Sequence, residues 1–338
     1  MLSPQDINNL EASRKISPAA VANAANPYPL VSVIVPTWNS EEDIEDFLNS
    51  LERQTYPKAS MELVVVDNGS TDNSVQVIQR WHEGQRMAGW FGLHLIESPR
   101  NNGIAQAYNL GYANSSSRAF AILRGEADVI LEPEVVESLC GVIRDNPSVG
   151  VAGARGLLYG TVPPQLDHAA SYMNWWNGRL RRVDPDHLVD CDSVLGPTFL
   201  TRRSCIDEMQ FFFPSDRFLA SELEFCTRVK RGGRRVVCEP RAVAYHKGAR
   251  SSGNLDFGRF GYVAQRETVL FHLKYNPLPQ KLFCLAWNAA YSLKQAFKGN
   301  RFQLLGLRDG FRWWGSHHPT LPPKSTKDTS LAEWLLKS

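Results

Sequence analysis

Apolar residues along this chain come in short continuous runs, and between the runs they recur three and four positions apart. The run LVSVIVP (30–36) is β-branched and uninterrupted, as in a strand covered on both faces, and a proline ends it. Ser40 is placed to cap the helix that follows, with Asp43 three residues on and an apolar face of Ile44, Phe47, Leu48 and Leu51. The unit then repeats. MELVVVD (61–67) predicts a second buried strand ending in an acid, and NGSTDNS leads into a helix with Val75, Ile78 and Trp81 on its apolar side. A third strand over 93–97, the loop SPRNNG, a helix over 104–113 and a fourth strand over 119–123 continue the alternation. This order predicts an α/β fold with a mostly parallel sheet, flanking helices and right-handed crossovers.

Beyond Pro133 the pattern predicts a helix over 134–143 and a strand over 149–154, whereas 156–195, which carries Trp175-Trp176, reads as irregular. GPTFLTRR (196–203) resumes apolar character. Ser221 with Glu224 fits a capping box at the start of a helix that Gly232-Gly233 ends. RVVCEP (235–240) and AVAYH (242–246) read as two short strands. From about residue 251 the chain turns helical, rich in aromatics and cations, and it ends in the polar tail PPKSTKDTS and an apolar turn, LAEWLL. Three regions follow: an N-terminal arm over 1–28, an α/β domain over 29–250, and a C-terminal helical region and tail over 251–338.

In a parallel sheet, ligands sit outside the carboxyl ends of the strands. That rule places Thr37, Asp67, Asn102 and the pair Glu126/Asp128 on one rim. The pair belongs to AFAILRGEADVILEP (119–133), where an apolar run breaks at Arg124-Gly125 and two acids follow one residue apart. An isolated E-x-D is ordinary loop chemistry. One that follows a buried strand, on the same rim as Asp67, is a candidate metal site.

Composition narrows the partners. Lys plus Arg total 37 and Asp plus Glu 35, a formal charge of +2 over 338 residues, which gives no basis for nucleic acid as the main partner. Six cysteines without a C-x-x-C pair read as reduced thiols in a cytoplasmic setting. The first residues lack the apolar stretch of a secretory signal, and no apolar run of about eighteen residues argues for a membrane span. Over 270–314, Lys274, Lys281, Lys294, Lys298 and Arg301 alternate with Phe271, Leu282, Phe283, Trp287 and Phe297. Such a basic amphipathic stretch packs on the catalytic domain or lies on an anionic membrane at its inner face, and both readings stand.

The ordered set PTWN, VVDNGSTDNS, NNGIAQAYNLG, EAD, GPTFLTRR, SELEFC and PRAVAYH, spread over about two thirds of the chain, resembles the inverting family-two glycosyltransferases. These have the GT-A (Rossmann-like) fold, and the likeness is to their rhamnosyl- and galactofuranosyltransferase-like branch. The resemblance implies that Pro36, Thr37, Asn39 and Glu41 line a nucleotide pocket, that Asp67 contacts the base, and that Asn102 and Gly103 lie along the nucleotide. It implies that Glu126-Ala127-Asp128 stand in the D-x-D position, with Asp128 a ligand of a divalent metal (Mg2+ or Mn2+), Glu126 a ribose-side or second acid, and His246 completing the metal shell. Glu222 falls in the place of the catalytic base, next to the donor and acceptor wall begun by Gly196. The implied partners are a nucleotide-sugar donor and a glycan or lipid-linked acceptor. Two departures, Glu126 where the family has Asp and Ser221-Glu222 where it has Glu-Asp, motivate an alternative: a catalytically impaired relative that binds nucleotide sugar without turnover. A dinucleotide-dependent oxidoreductase suits the alternation but needs a glycine fingerprint after the first strand, where PTWNS stands.

Overall fold

The computed structural model describes residues 27–194, 196, 198–209, 211, 221–248, 257–299 and 301–315, without the side chains of 221 and 257–260. The expected arm, up to residue 26, and the tail with LAEWLL lie outside these residues.

The alternation appears as β1 (Val31–Thr37), α1 (Ile44–Glu52), β2 (Met61–Asp67), α2 (Ser74–Gly84), β3 (Gly92–Glu97), α3 (Ile104–Asn114) and β4 (Ala121–Arg124). β1 lies between β2 and β4 and β2 pairs β3, all parallel, so their carboxyl ends share one edge. Because side chains alternate along a strand, Val31, Val33 and Val35 face one core and Ile34 the other. On the first face α1 buries Ile44, Phe47, Leu48 and Leu51 completely, each contributing roughly 1.5–3 kcal/mol. The helix itself begins later than Ser40 suggests. The Ser40 carbonyl accepts the N–H groups of Asp43 and Ile44 at 3.0 and 2.9 Å, and its hydroxyl turns to the Trp38 carbonyl at 3.2 Å, so Asp43 becomes the capping position.

After β5 (Val129–Leu131) and α4 (Val135–Asp145), β6 (Val149–Leu158) runs longer than its apolar stretch implies. The region 156–195 is not irregular. It forms β7 (Leu166–His168), β8 (Ala170–Asn174), β9 (Arg179–Val183), β10 (Val189–Asp190) and β11 (Ser193–Val194). A second, three-stranded sheet of order β11-β8-β9 comes from it, while β7 joins β6 in the main sheet. These strands have five residues or fewer and each contains polar or charged residues, so a search for continuous apolar runs passes over them.

β12 (Phe199–Arg202) enters antiparallel between β4 and β6, followed by a short α5 (Arg203–Met209) and by α6 (Ser221–Arg231). The two strands expected over 235–246 are one, β13 (Arg235–His246), whose register shifts between Glu239 and Val243, where Pro240 has no N–H to give to a ladder. Three helices complete the described chain: α7 (Phe257–Tyr275), α8 (Leu278–Phe297) and α9 (Phe302–Gly315). Glu224 of α6 ties them to the sheet. Its carboxylate accepts from Arg228 at 2.8 Å, from Lys274 at 2.9 Å and from the Tyr275 hydroxyl; the side chain of Ser221, the other half of the expected capping box, lies outside the described residues.

Candidate donor and metal site

The register that pairs Thr37 with Asp67, and Asp67 with Glu97, brings three strand ends to one rim. Beyond Pro36 and the buried Thr37, Asn39 takes a left-handed conformation at φ 49°. Its N–H donates to Ser70 Oγ at 2.9 Å, and its Oδ1 accepts the Thr71 N–H at 2.8 Å. Glu41 likewise accepts the backbone and side-chain N–H groups of Asn73 at 2.9 and 2.8 Å. Both expected pocket residues therefore lock the first loop to the second. Asp67, 3% exposed, accepts the N–H groups of Gly69 and Ser70 at 3.2 and 3.1 Å. Glycine is required at 69, because φ is 80° and a Cβ would stand 2.6 Å from the Arg100 Cα. Asn68 extends the weave to the third loop: its Oδ1 accepts the Asn102 N–H at 3.0 Å, and its amide donates to Asn101 Oδ1 at 3.0 Å. Gly103 opens α3 and donates to the same Asn101 oxygen at 2.9 Å.

The acid pair is organised by a residue that sequence reasoning passed over as a strand breaker. Arg124 ends β4 buried, and its Nη2 donates to Glu126 Oε1 at 2.6 Å and to Glu222 Oε1 at 2.7 Å. Its Nη1 donates to the Gly196 carbonyl at 3.0 Å, and its guanidinium carbon lies 4.8 and 5.6 Å from the ring centres of Tyr108 and Phe199. Gly125 then passes so near Phe47 that a Cβ would fall 2.6 Å from its ring. Burial pushes the Glu126 carboxyl above its ordinary range; Arg124 opposes this, and the charges of Asp128 and Glu222 reinforce it. Glu222 sits in the first turn of α6, where a carboxylate is favoured by the helix N-terminus whatever else it does. Among the described residues its Oε2 accepts no hydrogen bond.

Ala127 and Asp128 follow, both buried, and His246 comes to them from the end of β13, which pairs antiparallel with β5. One ligand atom from each of Glu126, Asp128 and His246 lies within 4.8 Å of the others. His246 Nε2 stands 3.3 Å from Asp128 Oδ2, and its Nδ1 stands 2.7 Å from Asp167 Oδ2. Burial works against a charged imidazole, but the bonds to Asp128 and Asp167 outweigh it and raise its pKa to about 10. Asp167 is also 2.7 Å from His168 Nδ1. Burial alone would raise its carboxyl; the two imidazoles reverse this and hold it well below the usual range.

Asp167 and His168 were not among the candidates from sequence. They lie on β7, in the stretch expected to be irregular, and their signal was an acid-histidine pair between Leu166 and Ala169-Ala170. Two carboxylates and an imidazole nitrogen form a donor set that fits a divalent cation such as Mn2+, with carboxylate oxygens also suited to Mg2+.

The sequence profile described as Glycosyl transferase family 2 matches residues 32–239. The chain belongs to glycosyl transferase family 2. Among family-2 relatives, it is similar to a poly(ribitol-phosphate) beta-glucosyltransferase of Bacillus spizizenii, 24% identical over 317 residues, which cover 90% of this chain and 43% of that protein. The chain spans 31% and 61% of the length of two further curated relatives. Solved structures show the shared GT-A fold. Staphylococcus aureus TarS 1-349 in complex with UDP-GlcNAc gives a TM-score of 0.58 at 20% identity, covering 84% of this chain and 81% of that one. The mannosyltransferase PcManGT from Pyrobaculum calidifontis, in complex with GDP-Man and Mn2+, gives 0.57 at 16% identity, covering 91% and 93%. Among the described residues of this family-2 chain, no helix is long and apolar enough to cross a membrane.

Proposed function

We propose that this chain is a metal-dependent inverting glycosyltransferase that moves a sugar from a UDP- or dTDP-activated donor to a hydroxyl of a glycan or lipid-linked acceptor. The observation that carries the reading is the convergence of Glu126, Asp128 and His246 just past the end of β4. In this reading Pro36, Thr37 and Asp67 bound the base side of the donor, Asn102 and Gly103 lie along it, and Asn39 and Glu41 hold the two loops that frame it. Asp128 and His246 hold the cation, with Glu126 beside them. A divalent cation bound there would neutralise charge that develops on the diphosphate leaving group.

Glu222 takes the proton of the attacking hydroxyl at Oε2, while Arg124 fixes the other oxygen of the same carboxylate. Asp167 keeps the His246 ring oriented through Nδ1, which leaves Nε2 toward Asp128. The donor is a UDP- or dTDP-sugar in this reading, and the solved complex of TarS with UDP-GlcNAc puts that donor on the panel worth testing.

One observation favours a second reading, a catalytically impaired relative. Glu222 is ion-paired with a buried guanidinium, and a base so held gives up part of that interaction to accept a proton. Nucleotide release from a panel of UDP- and dTDP-sugars, with Mn2+ or Mg2+ and with candidate acceptors, separates the two. Metal-dependent release that rises with an acceptor supports the transferase. Donor binding without release across the panel would leave the impaired relative.

A further inference from the structure

α8 is built inside out. Its buried stripe is Cys284, Asn288 and Ser292, four residues apart, which gives the protein side of the helix a thiol, an amide and a hydroxyl. The residues left in water include Leu282, Phe283, Trp287, Leu293 and Phe297, with Leu282 61% and Phe297 91% exposed. Scattered apolar residues on a surface are ordinary, but a row of large ones along the outer side of one helix reverses the usual amphipathic pattern.

The row continues past the helix. Trp176, half-exposed in the turn between β8 and β9, meets the Phe283 ring edge-on at 5.8 Å; Phe283 stacks on Trp287 at 6.3 Å, and Arg179 lies 5.6 Å over the Trp287 ring.

Charge decides what the surface fits. α8 contains no acid, and residues 276–315 hold Lys281, Lys294, Lys298, Arg301, Arg308 and Arg312 against Asp309 alone. Asp309 is buried and bonded to Arg308 and Tyr262, so it does not offset the outer face. Lys281, Lys294, Lys298 and Arg301 have no acidic partner among the described residues. A second copy of this surface would bring like charges together. An anionic lipid headgroup layer meets both features, phosphates for the cations and the acyl boundary for Trp, Phe and Leu.

We propose that α8, with the Trp176 turn beside it, docks this protein in the interface plane of an anionic lipid bilayer. The helix lies on the membrane and does not cross it, in keeping with the absence of a spanning helix among the described residues. This goes beyond the transferase reading and does not depend on turnover.

The test is co-sedimentation of the full chain with extruded vesicles of phosphatidylcholine alone and of phosphatidylcholine mixed with phosphatidylglycerol. The expected result is binding at least about tenfold stronger on the anionic vesicles, weakened about tenfold or more by Lys294→Glu/Lys298→Glu. Leu282→Ser/Phe297→Ser, at exposed positions that leave the circular dichroism melt unchanged, weakens it similarly. Failure to bind anionic vesicles, or binding that survives both double variants, overturns the proposal. So does a dimer in light scattering that Phe297→Ser dissolves while neither form binds vesicles, because a second copy would then cover the face.

Discussion

Nη2 of Arg124 lies 2.7 Å from Oε1 of Glu222, a bond between residues 98 apart that closes the end of β4 onto the first turn of α6. The same nitrogen holds Glu126, and the Arg124 side chain is only 3% exposed, so one cation balances two acids at the centre of the site. Arg124→Met leaves those carboxylates without their counter-charge and is expected to cost about 3–5 kcal/mol in urea unfolding. Arg124→Met/Glu222→Gln then loses less than the sum of the single variants, with a coupling of at least about 0.5 kcal/mol. Strict additivity would mean that the pair does not act as a unit.

Asp167 touches none of the expected metal oxygens, yet it bonds the far nitrogen of His246 at 2.7 Å. Replacing it by asparagine keeps the shape and removes the charge that fixes the ring. Mn2+ affinity, read by calorimetry on the resting protein, is expected to weaken about 10–100-fold. Asp128→Asn should weaken it more, because it removes a ligand and not a ligand's support. If Asp167→Asn binds Mn2+ like the parent, His246 is oriented by other contacts.

Much of this frame was legible in sequence for a physical reason. Val31, Val33 and Ile34 are apolar on both strand faces because helices cover both, and a continuous run is the mark of such a strand. The strand ends then pair Thr37 with Asp67 at one edge, and β4, whose end precedes Asp128, runs parallel beside β1. What escaped had the opposite character. Arg124 reads as the end of a strand because a cation is rarely buried, and only the three-dimensional meeting with Glu222 explains it. Asp167 and His168 lie on a strand of three residues that is half-exposed throughout, too short for any periodicity to show. The inverted face of α8 was visible as alternating cations and aromatics, but which side met water was decided by packing against Cys284 and Asn288.

Gly69 tests the loop weave apart from the chemistry. Its backbone is left-handed and its missing side chain faces the Arg100 backbone, which cannot step aside as a flexible side chain would. Gly69→Ala is expected to cost more than about 1 kcal/mol in stability. Because Asp67 accepts its N–H, the variant should also weaken UDP binding measured by calorimetry at a temperature where it remains folded. Unchanged stability would show that the third loop yields to a methyl group, and that the turn is less confined than the close approach to Arg100 implies.

Glu222→Gln addresses catalysis with the least disturbance, since an amide oxygen can still accept from Arg124 Nη2 and Glu126 still balances that cation. If Glu222 takes the acceptor proton, kcat falls about 10²–10⁴-fold while donor affinity and the unfolding midpoint stay close to the parent. Glu222→Asp keeps a carboxylate but withdraws it by about one bond of 1.5 Å, and it should also lose rate, because near-attack geometry tolerates little displacement. A structural acid that serves only the helix N-terminus would behave differently: both variants would turn over normally and would differ from the parent in melting temperature. Donor-dependent nucleotide release at the parent rate in Glu222→Gln would move the base to another residue of the rim, and Oε2 would lose the role assigned to it.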